Sequence, residues 1–504
     1  MQNGAFGLVM NCKTGEILAM ATLGSYDPNR YLEIADERVL AQLQQMLTDG
    51  TDADAYAKAL ADARWKQWRN RVLSDGYEPG STFKVLTMAA ALDCGTIDLN
   101  TPFYCRGAEQ IPGRAQRLHC WRSAGHGAEK TPQALQNSCN IAFAHIALKL
   151  GGERFYEYVQ RFGVLEKTGI DLAGESRGVF FDKALVTDTE KWGTASLTSG
   201  SFGQTFKLTP LQLVRAIASV VNGGELLEPY LVSEVLDGEG NTVLRQEPTV
   251  TRRTIQQSTS ETMRTLIRSV VTEGTAKNAA VPGYSVGGKT GTSEKIDVFD
   301  ENGQRVQDKI VSFVGIAPME DPEYIVLAAL DTPSRATGIY ISGGVMAAPT
   351  VGAVLQDILP YLGVEKTDLT EEEARTLSVP DFRGLTRTEA EKQMKALGLT
   401  SVRSGTKEQV TAQIPAPGTQ VQAGSQVLLY FGGEPETVRV PDFSGMNRQQ
   451  AEDAASKAGV TLRISGNPEV GTEIIAVFQQ PAAGEQAERG TEVTVQFADR
   501  NARD

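Results

Sequence analysis

The chain has 504 residues, 41% of them hydrophobic and 22% charged, with a net charge of −13. That length predicts two to four domains with cores of their own, and the acidic balance argues against nucleic acid or anionic lipid as a main partner. No apolar run approaches the ~20 residues of a membrane span, and Met1-Gln2-Asn3-Gly4 leads into a strand rather than a signal peptide. As written the chain reads as soluble, so any export or anchoring segment would lie outside it.

Residues 4–22 read as a hairpin, with apolar Ala5–Met10, a turn at Cys12-Lys13-Thr14-Gly15, and a second strand over Glu16–Thr22. Residues 35–72, rich in Ala, Gln, Asp, Leu and Arg, predict helix. Tyr77-Glu78-Pro79-Gly80 is a turn, and Val85–Leu92 after it is apolar enough for a buried helix. A loop over 101–132 leads into mostly helical Thr131–Leu150. Further helices are expected near 153–162, 209–222 and 259–274, with loops rich in Gly, Ser and Thr between them. Tyr284–Thr292, Ile310–Ala317 and Tyr324–Asp331 read as strands, and 347–362 as a closing helix. Strands at both ends with helices between them predict an α+β unit: a five-stranded antiparallel sheet covered by helices, plus an all-α portion.

The tail repeats itself. Val379-Pro380-Asp381-Phe382-Arg383-Gly384 returns as Val440-Pro441-Asp442-Phe443-Ser444-Gly445, 61 residues later. Pro415-Ala416-Pro417-Gly418 matches Pro481-Ala482-Ala483-Gly484, and Gly424 matches Gly490, both shifted by 66, so the second copy carries five extra residues. Each copy has a helix (Arg387–Leu397; Asn447–Ala458) followed by alternating strands such as Gln426–Phe431 and Glu492–Phe497, which reads as two small α+β modules. The expected division is 1–364 for the first domain, 365–377 for a charged linker, and 378–434 and 437–499 for the repeats.

Ser81-Thr82-Phe83-Lys84 stands at the start of the apolar helix. Residues i and i+3 share a helix face, so Lys84 can sit beside Ser81, and a lysine with a lowered pKa can take the serine proton. An S-x-x-K tetrapeptide alone is weak. Ser138-Cys139-Asn140 adds a hydroxyl and a carboxamide able to hydrogen-bond a lysine and a substrate amide. Lys289-Thr290-Gly291-Thr292, behind Gly287-Gly288 on a strand, adds small residues for a peptide to pair with and hydroxyls for a carboxylate. The backbone N–H groups of Ser81 and Thr292 would form an oxyanion hole, worth about 2.7–4 kcal/mol per donor. Of the three K-T-G tripeptides, Lys13-Thr14-Gly15 fills a hairpin turn and Lys167-Thr168-Gly169 leads into a loop. Only Lys289 lies on a strand next to another strand.

The order S-x-x-K, S-x-N, K-T-G resembles that of penicillin-interacting serine transferases and β-lactamases. Asn70-Arg71, Tyr77–Lys84, Gly203-Gln204, Leu208-Thr209-Pro210-Leu211-Gln212-Leu213, Asn222-Gly223-Gly224 and Thr272-Glu273-Gly274-Thr275-Ala276 resemble a class B penicillin-binding protein over about residues 5–362. The tail resembles two PASTA modules. The resemblance implies the serine β-lactamase/transpeptidase-like fold and peptidoglycan D,D-transpeptidation. Ser81 would be the nucleophile, Lys84 the base, Ser138 the proton relay and Asn140 the holder of the donor amide. Lys289, Thr290, Gly291 and Thr292 would hold the terminal carboxylate. Stem peptides and β-lactams are the implied ligands. A membrane glycosyltransferase or divisome proteins are the implied partners, in division, elongation or sporulation, on the outer face of the cell membrane of a Gram-positive-type bacterium. No E-x-x-L-N-like stretch supplies a deacylating carboxylate, so trapping by penicillin is expected rather than its destruction. Class B members usually begin with a transmembrane helix and a pedestal domain, so the chain is expected to be a fragment or to have a mis-assigned start. The runner-up readings are a D,D-carboxypeptidase on the same site and a non-catalytic β-lactam or muropeptide binder. The repeats read equally as spacers or as peptidoglycan binders.

No cofactor is required for this chemistry. Cys105, Cys120, His126 and Cys139 nonetheless give C-x14-C-x5-H-x12-C around the loop entering the S-x-N motif. Three thiolates and an imidazole suit a closed structural zinc site. A Cys105–Cys120 disulfide and plain buried thiols are the competing readings. Some elongation-type class B enzymes resemble this stretch and carry a metal there. Cys12, Cys94, His119 and His145 carry no expected role beyond packing or exposure.

Overall fold

The computed structural model describes residues 4–188, 193–295, 308–334, 340–366, 376–405, 407–415, 417–422, 426–432, 437–466, 474–488 and 491–499. Most of the expected linker (367–375) lies outside the described residues, as do Ala416, Gly424 and Gly490 of the repeat comparison. The chain folds as two compact units divided near residue 368. Among the described residues no helix is long and apolar enough to cross a membrane.

In the first unit β1 (Gly4–Asn11) and β2 (Ile17–Thr22) form the expected hairpin, followed by helices α1 (Glu37–Thr48) and α2 (Ala53–Trp68). The apolar stretch after Gly80 becomes α3 (Lys84–Asp93), buried at every position from Lys84 to Ala91. Segment 101–132 is more ordered than the loop expected of it. β3 (Pro102–Cys105) pairs with β6 (Gly127–Lys130), and β4 (Ala108–Glu109) pairs with β5 (Leu118–His119). These strands are two to four residues long, too short to show a period of two in sequence. Next come α4 (Thr131–Gln136), α5 (Asn140–Leu150), α6 (Pro210–Val221) and α7 (Gln257–Thr272). α6 is buried at all twelve positions, the expected state for a helix that is mostly apolar all round. Between α6 and α7 run short strands, such as Glu225–Leu227 with Val250–Arg253, that the sequence did not signal.

β7 (Gly287–Glu294), β8 (Lys309–Ala317) and β9 (Tyr324–Asp331) complete an all-antiparallel five-stranded sheet in the order β7-β8-β9-β1-β2. The central strands are apolar at nearly every position because both faces are covered. On one face Val351 and Leu355 of α8 (Ala348–Tyr361) pack over Gly315; on the other, Ile267 of α7 lies over Gly287. Among the described residues β7 ends the sheet, so one side of its backbone faces a cleft instead of a neighbouring strand.

Each tail repeat has its own core: Val379, Phe382, Met394, Val427, Leu429 and Phe431 in the first, and Val440, Phe443, Ala451, Val493, Val495 and Phe497 in the second. In both, a strand (Thr400–Gly405; Thr461–Gly466) runs parallel to the last one and a third (Ala412–Ile414; Ile474–Gln480) antiparallel. A glutamine closes each core edge. Gln413 accepts from the Phe382 N–H (2.6 Å) and donates to the Pro380 and Pro415 carbonyls (2.9 and 3.2 Å). Gln479 makes the matching bonds to Phe443, Pro441 and Pro481 at 2.8, 2.9 and 3.2 Å.

Candidate active site

The turn before Ser81 depends on two glycines. Gly80 has φ +54°, and a Cβ there would stand 3.1 Å from the Thr292 carbonyl oxygen. Gly203 (φ +81°) accepts from the Gly80 N–H at 2.9 Å and lies so close that a Cβ would overlap Gly80. Only glycine combines that backbone with that approach. The strand edge and the serine turn are thereby brought into backbone contact. Ser81 lies in a short 3-10 turn (Gly80–Phe83) that passes directly into α3. In 3-10 geometry residues i and i+3 nearly eclipse, which sets Lys84 behind Ser81.

Lys84 is 0% exposed. Its Nζ donates to the Ser138 carbonyl (2.7 Å) and Asn140 Oδ1 (2.8 Å), and lies 3.1 Å from Ser138 Oγ. The Phe143 ring centroid is 5.2 Å away. Burial pushes its pKa down to about 8. A neutral amine has two hydrogens, and the two carbonyl-type oxygens take both. Its lone pair is then left for a hydroxyl.

Lys289 Nζ approaches the same Ser138 Oγ from the other side, at 3.0 Å. Burial, then the charge of Lys84, drives its pKa well below the ordinary lysine value. One hydroxyl between two lysines can accept from one and donate to the other only if one of them is neutral. The pair is therefore built to share fewer protons than two free lysines would.

Ser138 lies between α4 and α5 at φ +53°, a left-handed position that is unusual for a non-glycine residue and is held by the helices on either side. Cys139 caps α5, its Sγ accepting from Ala142 N at 3.5 Å. Asn140 Nδ2 donates to the His119 carbonyl at 3.3 Å. That backbone contact was not legible in sequence, where His119 carried no role.

On β7, Thr290 and Thr292 alternate onto the cleft. Thr290 Oγ1 is 3.2 Å from Thr275 Oγ1, and Thr292 Oγ1 accepts from the Gly343 N–H at 3.2 Å. Gly291 is buried, and a Cβ there would stand 2.5 Å from Ser312 Oγ. The cleft, about 550 Å³, is lined by Ser81, Ser138, Asn140, Thr290 and Thr292 among others. Lys84 and Lys289 sit behind these residues. All eight residues expected at the site are thus brought together. Gly343 gave no sequence signal, and Thr275 and Gln204, which also line the cleft, entered only through the resemblance.

The other two K-T-G copies have structural work. Lys13 Nζ pairs with Asp321 (2.5 Å) and Glu323 (3.2 Å) at a turn. Thr168 N and Oγ1 bond Glu175 Oε1 at 2.6 and 2.7 Å.

All five cysteines are free thiols, so the disulfide reading finds no support in this structure. Cys105, Cys120, His126 and Cys139 instead form a buried cluster, with potential ligand atoms within 4.8 Å of one another. Cys139 hydrogen-bonds Cys120 and holds its pKa well below the ordinary thiol value, while the Cys139 thiol is pushed up. Among the described residues His126 Nε2 and Glu129 Oε1 are buried without a hydrogen-bond partner. Soft sulfurs, an imidazole and orphaned polar atoms together fit a tetrahedral cation site. The cluster is tied to the cleft: Cys139 separates Ser138 from Asn140, and Trp121, next to Cys120, donates to the Asn137 carbonyl at 3.0 Å.

Residues 5–356 match the penicillin binding protein transpeptidase domain. The chain belongs to that family. Residues 377–433 and 438–499 each match the PASTA domain. Stage V sporulation protein D of Bacillus subtilis is 36% identical over 443 residues, covering 86% of this chain and 62% of that protein. The probable peptidoglycan D,D-transpeptidase FtsI of Caulobacter vibrioides is 32% identical over 375 residues, covering 73% of this chain and 55% of that one. The chain therefore spans between about half and two thirds of their lengths. Among solved structures, the transpeptidase domain of Burkholderia pseudomallei penicillin-binding protein 3 aligns with a TM-score of 0.55 at 25% identity, over 73% of this chain and 90% of that one. Penicillin-binding protein 2X of Streptococcus thermophilus aligns over 99% of this chain and 68% of that one, at TM-score 0.56 and 22% identity, a likeness of fold.

Proposed function

We propose that the chain is a peptidoglycan D,D-transpeptidase that works through a Ser81 acyl-enzyme and is acylated by β-lactams. The observation that carries the reading is Ser138 Oγ held 3.1 Å from Lys84 Nζ and 3.0 Å from Lys289 Nζ, at a cleft that also presents Ser81 and the open edge of β7.

A donor stem lies along β7, its terminal carboxylate bonded by Thr290 and Thr292 beside the Lys289 amine. Asn140 bonds the donor amide. Neutral Lys84 takes the Ser81 proton as Oγ attacks the penultimate carbonyl. The oxyanion receives the N–H groups of Ser81 and Thr292. Lys84 Nζ bonds Ser138 and Asn140 in this structure, and its contact with Ser81 Oγ forms when substrate is bound. As the C–N bond breaks, the leaving nitrogen takes the Ser138 proton, which Lys84 replaces, and D-alanine departs. An amine on a second stem attacks the ester and returns its proton by the same route as Ser81 leaves. Carboxypeptidation would need only water in place of that amine, and product analysis separates the two.

The same proposal includes the domain division given above, a place on the outer face of the cell membrane of a Gram-positive-type bacterium, and a membrane glycosyltransferase or divisome partner. PASTA modules and the relative named for sporulation support it. The cysteine cluster is proposed to hold one structural zinc through Cys105, Cys120, His126 and Cys139, stiffening the loop behind Ser138 and Asn140. Elemental analysis tests this: about one zinc per chain is expected, and a metal-free, fully active protein excludes it.

For the main reading, fluorescent penicillin followed by peptide mass mapping should place the adduct on Ser81 and find none in folded Ser81→Ala. An adduct on another residue ends the reading.

A further inference from the structure

The cleft continues past Thr292. Side chains alternate along a strand, so Thr290, Thr292 and Glu294 point the same way, and Glu294 lines the same cleft. It stands ~7 Å beyond Thr292 at ~3.3 Å per residue. Lys309 of β8 pairs with Glu294 in register and lines the cleft as well. Glu294 is exposed and Lys309 half-buried, so a ligand can reach both. The two opposite charges therefore sit side by side at the far end of the cleft from the lysines around Ser138.

We propose that Glu294 and Lys309 form a subsite for the third residue of the donor stem, counted from its carboxylate end, and that they select a side chain ending in both an ammonium and a carboxylate. The inference rests on the transpeptidase reading above. A peptide antiparallel to β7 puts its terminal carboxylate by Thr290, its reacting carbonyl by Thr292 and its third residue by Glu294. Glu294 only accepts hydrogen bonds and Lys309 only donates them. A lysine-type side chain satisfies the first alone. A diamino dicarboxylic side chain satisfies both, with charge-assisted bonds to each.

The test uses two synthetic depsipeptide donors, identical except that the third residue is lysine in one and a diamino dicarboxylic acid in the other. The readout is the ratio of their acylation rates within each protein form, which cancels any general loss of activity. The wild type should favour the dicarboxylic donor roughly two- to fivefold, the worth of the one extra, partly exposed ion pair to Lys309. Lys309→Met should bring the ratio near one. Glu294→Gln should slow both donors and leave the ratio close to wild type. Equal rates in the wild type, or a preference that survives Lys309→Met, overturn the subsite. A wild type that penicillin does not acylate at Ser81 overturns the transpeptidase reading and the subsite with it.

Discussion

The two parts of the chain bury polar groups in opposite ways. The repeats hold an amide at the core edge, buried at Gln413 and half-buried at Gln479, and satisfy its oxygen and both of its hydrogens with backbone groups. The first unit buries two lysines, 0% and 1% exposed, beside a single serine hydroxyl. A fully bonded amide costs little and fixes a fold. A buried ammonium is costly, and the protein answers by lowering its pKa. Burial of that kind is retained where chemistry needs a base near neutrality.

If that contrast holds, changes at the lysines should alter rate and changes at the glutamines stability. Lys84→Met keeps the volume and removes the amine. Penicillin acylation measured by stopped flow should fall about 10²- to 10⁴-fold, the range for losing a general base, with little change in Tm. A loss under threefold would remove Lys84 from the mechanism.

The next largest effect is pH. Because burial lowers the Lys84 pKa to about 8, the neutral amine grows with pH up to that point. Acylation should rise about tenfold per unit below pH 8 and flatten above it. The folded state also binds fewer protons than the unfolded chain between that pKa and the ordinary lysine value. Lys84 therefore destabilises the fold most at lower pH, and the penalty eases as pH rises through that window. A profile flat from pH 6 to 8 would contradict this.

Cys139→Ser should lower bound zinc and slow penicillin acylation roughly 10- to 100-fold, the range seen when support around a metal is removed. Acylation at the wild-type rate by a zinc-free variant would disconnect the cluster from the site. The smallest effect falls in the tail. Gln413→Leu strands the Phe382 N–H and two proline carbonyls, so the first repeat should lose about 1–3 kcal/mol by hydrogen exchange, while acylation stays at the wild-type rate.

Much of this was legible in sequence where a pattern was long or repeated. The three central strands and α3 are apolar runs bounded by turn residues, and the repeats announce themselves by copying. The choice among three K-T-G copies followed from strand context. Short-range pairing was not legible: β3 to β6 have too few residues for a period. Contacts made by backbone, such as the His119 carbonyl on Asn140 or the Gly343 N–H on Thr292, leave no mark in side-chain identity. The near-overlap of Gly80 and Gly203 is a property of tertiary approach, and two glycines 123 positions apart do not declare it.

The open edge of β7 has a consequence outside catalysis. A sheet edge that can take a peptide can also take a strand from another protein molecule, and natural sheets usually cap such edges. On the transpeptidase reading this edge has to admit the donor, so the free protein carries a self-association risk that its acylated form does not. Warmed to the same temperature, penicillin-acylated protein should scatter light later than the free protein. On that reading a β-lactam would, in this narrow sense, protect the protein that it acylates.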